Sequence, residues 1–375
     1  MTDLPEPSAD VLVRASRGVG RLTLDRPRAL NALDIGMIRT LSAALDAWQH
    51  DPGIEVVLLD GAGERGFCAG GDVRALREQV LSGDAPAAAR FFREEYALNA
   101  RIAEYPKPFV VFADGITMGG GVGLAGHAAF RVVTERSALA MPETRIGFTP
   151  DVGGTWLLGR APGRVGEYLA LTGGTMDGAD AIYAGFADHL VPSDRLDGLL
   201  DALESRADPP HALSTDRGRE PRSLGARGPI GPAELVLLFH ETPPPSALGR
   251  ARPWIDDAFA APTVSGIIDR LRVRPEPDAA DAADLLVTLS PTALTVALAA
   301  VRRARELSDL RSVLAQEYGL VLWFAQTQPD LLEGIRAQLV DKDRSPRWQP
   351  ASLGEVPPNT VHEALTFRPN PPLWD

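Results

Sequence analysis

Apolar and polar positions divide the chain into an N-terminal stretch of short apolar runs alternating with helical periods and a C-terminal third that reads helical. Residues 11–25 predict two short strands around a Gly-rich turn, and 26–33 a loop. Asp34 is placed to N-cap a helix through Gln49, with Ile35, Ile38, Leu41, Leu45 and Trp48 at helical spacing. Residues 56–59 read as a buried strand, 61–71 as a Gly-rich loop, and 74–80 and 87–104 as helices. A second buried strand spans 108–113. After the turn at Asp114-Gly115, Met118-Gly-Gly-Gly-Val-Gly-Leu124 opens a helix. A strand at 130–133, helices at 162–171 and 175–184 and a strand at 189–191 complete the series. A repeated strand, loop, helix unit implies an α/β core with its loops gathered on one side.

The pattern then changes. Residues 208–232 are rich in Pro, Gly and Arg without periodicity, and 243–245 are three prolines. They read as a flexible excursion or linker. Helices are predicted at 254–272, 278–288, 291–307 and 310–338, with the apolar run 317–324 buried. This suggests a core at 1–205 carrying the site, a linker at 206–252 and a helical region at 253–375; 375 residues exceed one ordinary core.

Composition narrows the class. A hydrophobic content of 45% and a charged content of 23% fit a soluble globular protein. No apolar run reaches membrane-spanning length. The N-terminus lacks the basic and apolar regions of a secretory signal. The single cysteine, Cys68, allows no intrachain disulfide, so a reducing, cytoplasmic setting is expected. A net charge of −12 argues against nucleic-acid or membrane-surface partners.

Candidate chemistry concentrates at 141–154, Met-Pro-Glu-Thr-Arg-Ile-Gly-Phe-Thr-Pro-Asp-Val-Gly-Gly. Its prolines and glycines exclude a continuous helix. The shaped loop that remains offers two carboxylates, Glu143 and Asp151, which can divide proton transfer and water activation. The local sequence is equally compatible with Glu143 capping the following turn and Asp151 N-capping a helix from Val152. Two glycine loops, Phe67-Cys-Ala-Gly-Gly-Asp72 and Met118-Gly-Gly-Gly-Val122, each lie between a strand and a helix. Each can present a backbone N–H, and two convergent donors would stabilise charge on a carbonyl oxygen; they are also compatible with plain strand-to-helix turns. Neither is a P-loop or a Gly-x-Gly-x-x-Gly motif. The six scattered histidines predict no metal site. Cys68 reads as a packed small side chain, and 341–344 as a solvated or ion-paired turn.

Together, Phe67–Asp72, Gly115-Ile-Thr-Met-Gly-Gly-Gly-Val122 and Met141-Pro-Glu143 resemble the enoyl-CoA hydratase/isomerase (crotonase) superfamily, over about residues 10–200. Phe91-Phe-Arg-Glu-Glu-Tyr96, Pro150-Asp-Val-Gly-Gly154 and the C-terminal Glu333-Gly-Ile-Arg-Ala and Asp341-Lys-Asp-Arg-Ser-Pro-Arg-Trp348 are most similar to its 3-hydroxyisobutyryl-CoA hydrolase branch. The resemblance implies a crotonase-like spiral of ββα units with a helical C-terminal region, and an acyl-CoA substrate. It implies no cofactor, since coenzyme A belongs to the substrate, and a possible homo-oligomer. It makes Gly71 and Gly120 the oxyanion donors, Glu143 the catalytic carboxylate and Asp151 its partner. Glu95 would face the acyl group; Gly70, Asp72, Gly119, Arg28, Ala29, Ala69 and Arg74 would line the substrate path, with Arg26, Arg28 and Arg74 available to phosphates.

One departure bears on the reaction. Hydratases of the superfamily use two glutamates, the first just after the triple glycine; here that position is Gly123. Hydrolysis is therefore expected over hydration or isomerisation, with Glu143 acting as general base or as nucleophile. A catalytically silent binding subunit is the third reading.

Overall fold

The computed structural model describes residues 8–205 and 230–374, so most of the Pro/Gly/Arg-rich excursion lies outside the described residues. Among the described residues, nine strands form two sheets. In chain order they are β1 (Val11–Ser16), β2 (Val19–Leu24), β3 (Val56–Gly61), β4 (Gly66–Cys68), β5 (Phe109–Ala113), β6 (Ile116–Met118), β7 (Phe130–Val133), β8 (Ala138–Ala140) and β9 (His189–Leu190). The larger sheet runs β1-β2-β3-β5-β7-β9, antiparallel only at β1–β2. The smaller runs β4-β6-β8 and is parallel. The first repeat lays both β1 and β2 in the large sheet; from β3 on, each repeat lays one strand in the large sheet, the next in the small sheet, and then a helix or helical turn, giving a spiral of ββα units.

The continuous apolar runs of β3 and β5 follow from burial on both faces. Val57, Leu59, Phe109 and Val111 face the main core. Val56, Leu58, Val110 and Phe112 pack on the opposite face with Leu199, Leu203, Leu235 and Val236. The strands β4, β6 and β8 were not foreseen: the Gly-rich loop expected at 61–71 contains β4, and three residues are too few to show a period.

The helices of the spiral are α1 (Ile35–Gln49), α2 (Val73–Leu81), α3 (Ala85–Ala103), α4 (Gly120–Ala125), α5 (Gly154–Arg160), α6 (Val165–Thr172), α7 (Gly178–Ala184) and α8 (Leu196–Ser205). Asp34 caps α1 as expected, accepting from Met37 N at 2.8 Å. Within the stretch expected to be linker, residues 232–239 form α9 (Pro232–Phe239). Then follow α10 (Ala247–Phe259), α11 (Val264–Arg272), α12 (Pro277–Leu286), α13 (Pro291–Ala304), α14 (Leu310–Thr327), α15 (Asp330–Ile335) and α16 (Thr360–Thr366). The helix expected at 254–272 is two, separated around Pro262, and that at 310–338 divides before Pro329, because proline removes a helical N–H and clashes with the preceding turn. Apolar residues of α13 and α14, among them Leu294, Val301, Leu320 and Phe324, share one core with the spiral.

Candidate active site

The three strands of the small sheet end side by side. At their C-terminal ends lie Ala69-Gly-Gly71 after β4, Gly119-Gly120 after β6, and Pro142-Glu143 after β8. Carboxyl ends of parallel strands are where α/β folds place ligands. Here the parallel pairing of β4, β6 and β8 brings together three segments up to 74 residues apart.

Both glycine loops turn on a residue of positive φ. Gly70 has φ 99° and Gly119 has φ 48° with ψ −117°. These conformations aim the next peptide N–H, of Gly71 and of Gly120, away from the strand direction. Neither N–H donates to a backbone oxygen in the described turns and loops. The two amides are close: a Cβ built on Gly120 would lie 3.2 Å from Gly71 N and 2.6 Å from Glu95 Oε1. The first loop is fixed by Leu33 N donating to Gly70 O (2.8 Å) and Asp72 N to Leu33 O (2.9 Å). Asn31, fully buried, bonds the carbonyls of Ala62, Gly66 and Phe67 through Nδ2.

Around these amides lies a cavity of about 350 Å³. Ala69, Gly70, Gly71, Asp72, Glu95, Gly119, Gly120, Glu143 and Asp151 all line it, so most of the residues expected from sequence meet there. Phe91, Phe92 and Phe148 supply apolar walls, and Gln338 and Leu339, just beyond α15, close it from the C-terminal region. Arg28, Ala29 and Arg74 do not line this cavity. Arg28 is exposed, and Arg74 donates to Leu339 O at 2.9 Å. Arg26 pairs with Asp72 at 3.3 Å.

Three carboxyls that line this space are largely shielded from solvent. Glu95 is 2% exposed, Glu143 7% and Asp151 6%. Glu95 Oε1 and Glu143 Oε2 have no hydrogen-bond partner in the protein. Burial, then the charge of Asp151, raises Glu143 well above the ordinary carboxylate range, and the same two causes raise Glu95. Burial lifts Asp151 to about 7, opposed by the Tyr96 hydroxyl, which donates to Asp151 Oδ2 at 2.8 Å. Groups so placed hold protons more tightly than free carboxylates and can pass them to one another. Buried carboxyl oxygens left open toward a cavity are available to a ligand or a water.

Asp151 is not the helix cap that its local sequence allowed. The residue before α5 is Gly153, and the first turn is held instead by Glu317 of α14. Glu317 accepts from Gly153 N (2.6 Å), Thr155 N (2.8 Å) and Thr155 Oγ1 (2.5 Å). It is fully buried, and burial pushes it up to about 8. Asn31, Tyr96, His127 and Glu317 were not singled out by sequence reasoning. For Glu317 the available signal was a lone carboxylate heading the apolar run 317–324.

Cys68 is buried, with Sγ 3.1 Å from Asn31 O, and its thiol is pushed up to about 12, which leaves it unreactive. At Gly123, a Cβ would lie 2.6 Å from Val152 Cβ and 3.0 Å from Asn99 Nδ2. The space beside the triple glycine is therefore taken by Val152.

Comparison with known proteins agrees with this geometry. A family model described as enoyl-CoA hydratase/isomerase matches residues 19–365. A rat protein named 3-hydroxyisobutyryl-CoA hydrolase, mitochondrial, is 40% identical over 93% of this chain and 86% of its own. The Xenopus tropicalis protein of the same name is 38% identical over 100% of this chain and 93% of its own. The compartment in those names differs from the cytoplasm expected here. Among solved structures, one described as a carnitinyl-CoA dehydratase from Mycobacterium thermoresistibile is 45% identical, with a TM-score of 0.87 over 98% of both chains. One described as an enoyl-CoA hydratase from Rhodobacter sphaeroides 2.4.1 is 42% identical, with a TM-score of 0.82 over 96% of this chain and 97% of that one. On the extent of these matches and the spiral fold, the chain belongs to the enoyl-CoA hydratase/isomerase family.

Proposed function

We propose that this protein hydrolyses a 3-hydroxyacyl-CoA thioester, 3-hydroxyisobutyryl-CoA giving 3-hydroxyisobutyrate and free coenzyme A, a step of valine breakdown. The relatives' names divide between hydrolase on one side and hydratase or dehydratase on the other. The observation that favours hydrolysis is at Gly123. The second glutamate used by hydratases is missing, and the Val152 side chain occupies the space it would enter. The second carboxyl near Glu143 is Asp151, delivered by a different turn.

In this reading the thioester carbonyl oxygen lies between the Gly71 and Gly120 N–H groups, which stabilise the tetrahedral oxyanion. Glu143 either takes a proton from the attacking water or itself attacks the carbonyl, forming an anhydride that water then opens. Coenzyme A leaves as the thiol once its sulfur is protonated. A group of Asp151's affinity, about 7, can hold or release that proton at neutral pH. Glu95, unpartnered beside Gly120, is placed to accept a hydrogen bond from the substrate hydroxyl. A site built for that bond rejects the deoxy analogue strongly. Arg26, Arg28 and Arg74 remain candidates for the coenzyme A phosphates, and no cofactor enters the scheme.

Thiol release from a panel of acyl-CoA esters, run beside the loss of enoyl absorbance from crotonyl-CoA, tests the reading. The expected result is rapid thiol release from 3-hydroxyisobutyryl-CoA and slow hydration of crotonyl-CoA. The reverse preference would establish the hydratase reading that the solved relatives' descriptions suggest.

A further inference from the structure

The turn that carries Asp151 is strained and anchored from outside. Val152 has φ 53°. A β-branched residue is disfavoured in the left-handed region and persists there only when its surroundings impose it. That conformation is what sends the Val152 side chain over Gly123. Gly153, also at positive φ (76°), brings no side-chain cap to α5.

Three groups from three other segments hold the turn. Tyr96 of α3 donates to Asp151 Oδ2 at 2.8 Å. The His127 ring, just beyond α4, lies with Nε2 2.9 Å from Val152 O. Burial lowers this imidazole to about 4, so it is neutral and donates to the carbonyl. Glu317 makes the remaining three bonds, to Gly153 N, Thr155 N and Thr155 Oγ1. It is the one anchor from the C-terminal helical region, it engages both carboxyl oxygens, and it stands outside the cavity lining.

We infer that Glu317 is a positioning residue: from α14 it clamps the strained Asp151–Val152–Gly153 turn, fixing the Asp151 carboxyl against Glu143 and tying catalysis to the C-terminal region. This rests on the hydrolase reading, in which Asp151 acts with Glu143. A cap that served stability alone would lower the melting temperature and leave kcat untouched. A clamp on reacting geometry lowers kcat, because small misplacements near the reacting atoms cost up to roughly 10²-fold.

The test is steady-state thiol release by Glu317→Gln, Thr155→Val, Asp151→Asn and the double variant Glu317→Gln/Asp151→Asn, each checked for folding by circular dichroism. Gln keeps the size but turns an amide toward one backbone N–H. Thr155→Val removes one bond and leaves the carboxylate. The expected results are a kcat loss of about 10²-fold for Glu317→Gln and severalfold for Thr155→Val, with KM within about twofold. The double variant should be no slower than Asp151→Asn, since both changes act through one group. If Glu317→Gln does not fold, Thr155→Val and its combination with Asp151→Asn carry the same comparison. Asp151→Asn crippled while the folded clamp variants turn over at the wild-type rate would overturn the inference and leave the hydrolase reading standing. Clamp losses that multiply with that of Asp151→Asn would overturn it too. Asp151→Asn at the wild-type rate would instead remove the role given to Asp151, and this inference with it.

Discussion

Two buried glutamates in this molecule have opposite surroundings. Glu167 on α6 is fully buried, and both its oxygens are taken: Arg164 Nη1 donates to Oε1 and Arg305 Nη2 to Oε2, each at 2.7 Å, with Arg302 Nε 3.8 Å from Oε1. Glu143 is nearly as buried, yet its Oε2 has no partner, and its charged neighbours are Asp151, Glu317 and Glu95, all acidic. The first joins α6 to the C-terminal α13 region through an ion cluster that takes both carboxylate oxygens. The second is a carboxyl held against its own solvation preference beside a cavity. Burial alone thus does not mark a functional carboxylate; an open oxygen, like-charged neighbours and adjoining space do.

The contrast is broken most sharply at Glu143. Glu143→Gln should reduce thiol release by about 10³–10⁴-fold, since an amide neither accepts the proton nor attacks the carbonyl. The variant should melt no lower than wild type, because a strained acidic site is relieved. Appreciable turnover by the folded protein would end the assignment. Gly120→Val comes next. Its side chain would enter the space where Glu95 Oε1 and Gly71 N lie 2.6 and 3.2 Å from the Cβ position, so a loss of roughly 10²–10³-fold in kcat is expected. Full activity of a soluble variant would place the carbonyl elsewhere. Asp151→Asn should lose about 10²-fold, and combining it with Glu143→Gln should add little.

Glu167→Ala should show the converse. It leaves three arginines without their carboxylate and should cost about 3 kcal/mol, near the low end for breaking a buried pair, since those side chains keep 26–37% exposure and can be hydrated. Denaturant titration reads this, while kcat per folded molecule should hold. A catalytic defect without a stability loss would erase the distinction between the two glutamates.

The smallest expected effect is on pH dependence. Asp151 rises from its usual 3.8 to about 7, and Glu143 is raised well above its own usual value. A carboxyl raised on folding stabilises the protein fully below its unfolded value and loses that contribution as pH climbs through the folded one. The melting temperature should therefore decline between about pH 4 and 7, and decline less in Glu143→Gln. An identical slope in both proteins would show that Glu143 does not titrate differently in the fold.

Much of the architecture was legible in the chain. The apolar runs of β3, β5 and β7, the Asp34 cap and the amphipathic α1 carry local patterns strong enough to survive folding. The motif residues Gly71, Gly120, Glu143, Asp151 and Glu95 were found together, and the structure gathers them around one cavity. Local patterning did not show β4, β6 and β8, whose three residues each are stabilised by pairing with one another. Nor could it choose between a helix cap and a site carboxyl for Asp151, because both readings fit the same residues.

By itself, then, the sequence determined which segments are apolar, where helices begin, and which polar residues and glycines are available for chemistry, because those properties depend on neighbours a few positions away. Only the tertiary structure decided what each polar residue faces. The small parallel sheet sets Gly71, Gly120 and Glu143 side by side. α14 supplies Glu317, 166 positions from Asp151, to the turn that Asp151 begins. The strained Val152 fills the space beside Gly123. Whether a carboxylate is solvated, paired or left open depends on atoms brought from distant parts of the chain, and no local pattern encodes that environment.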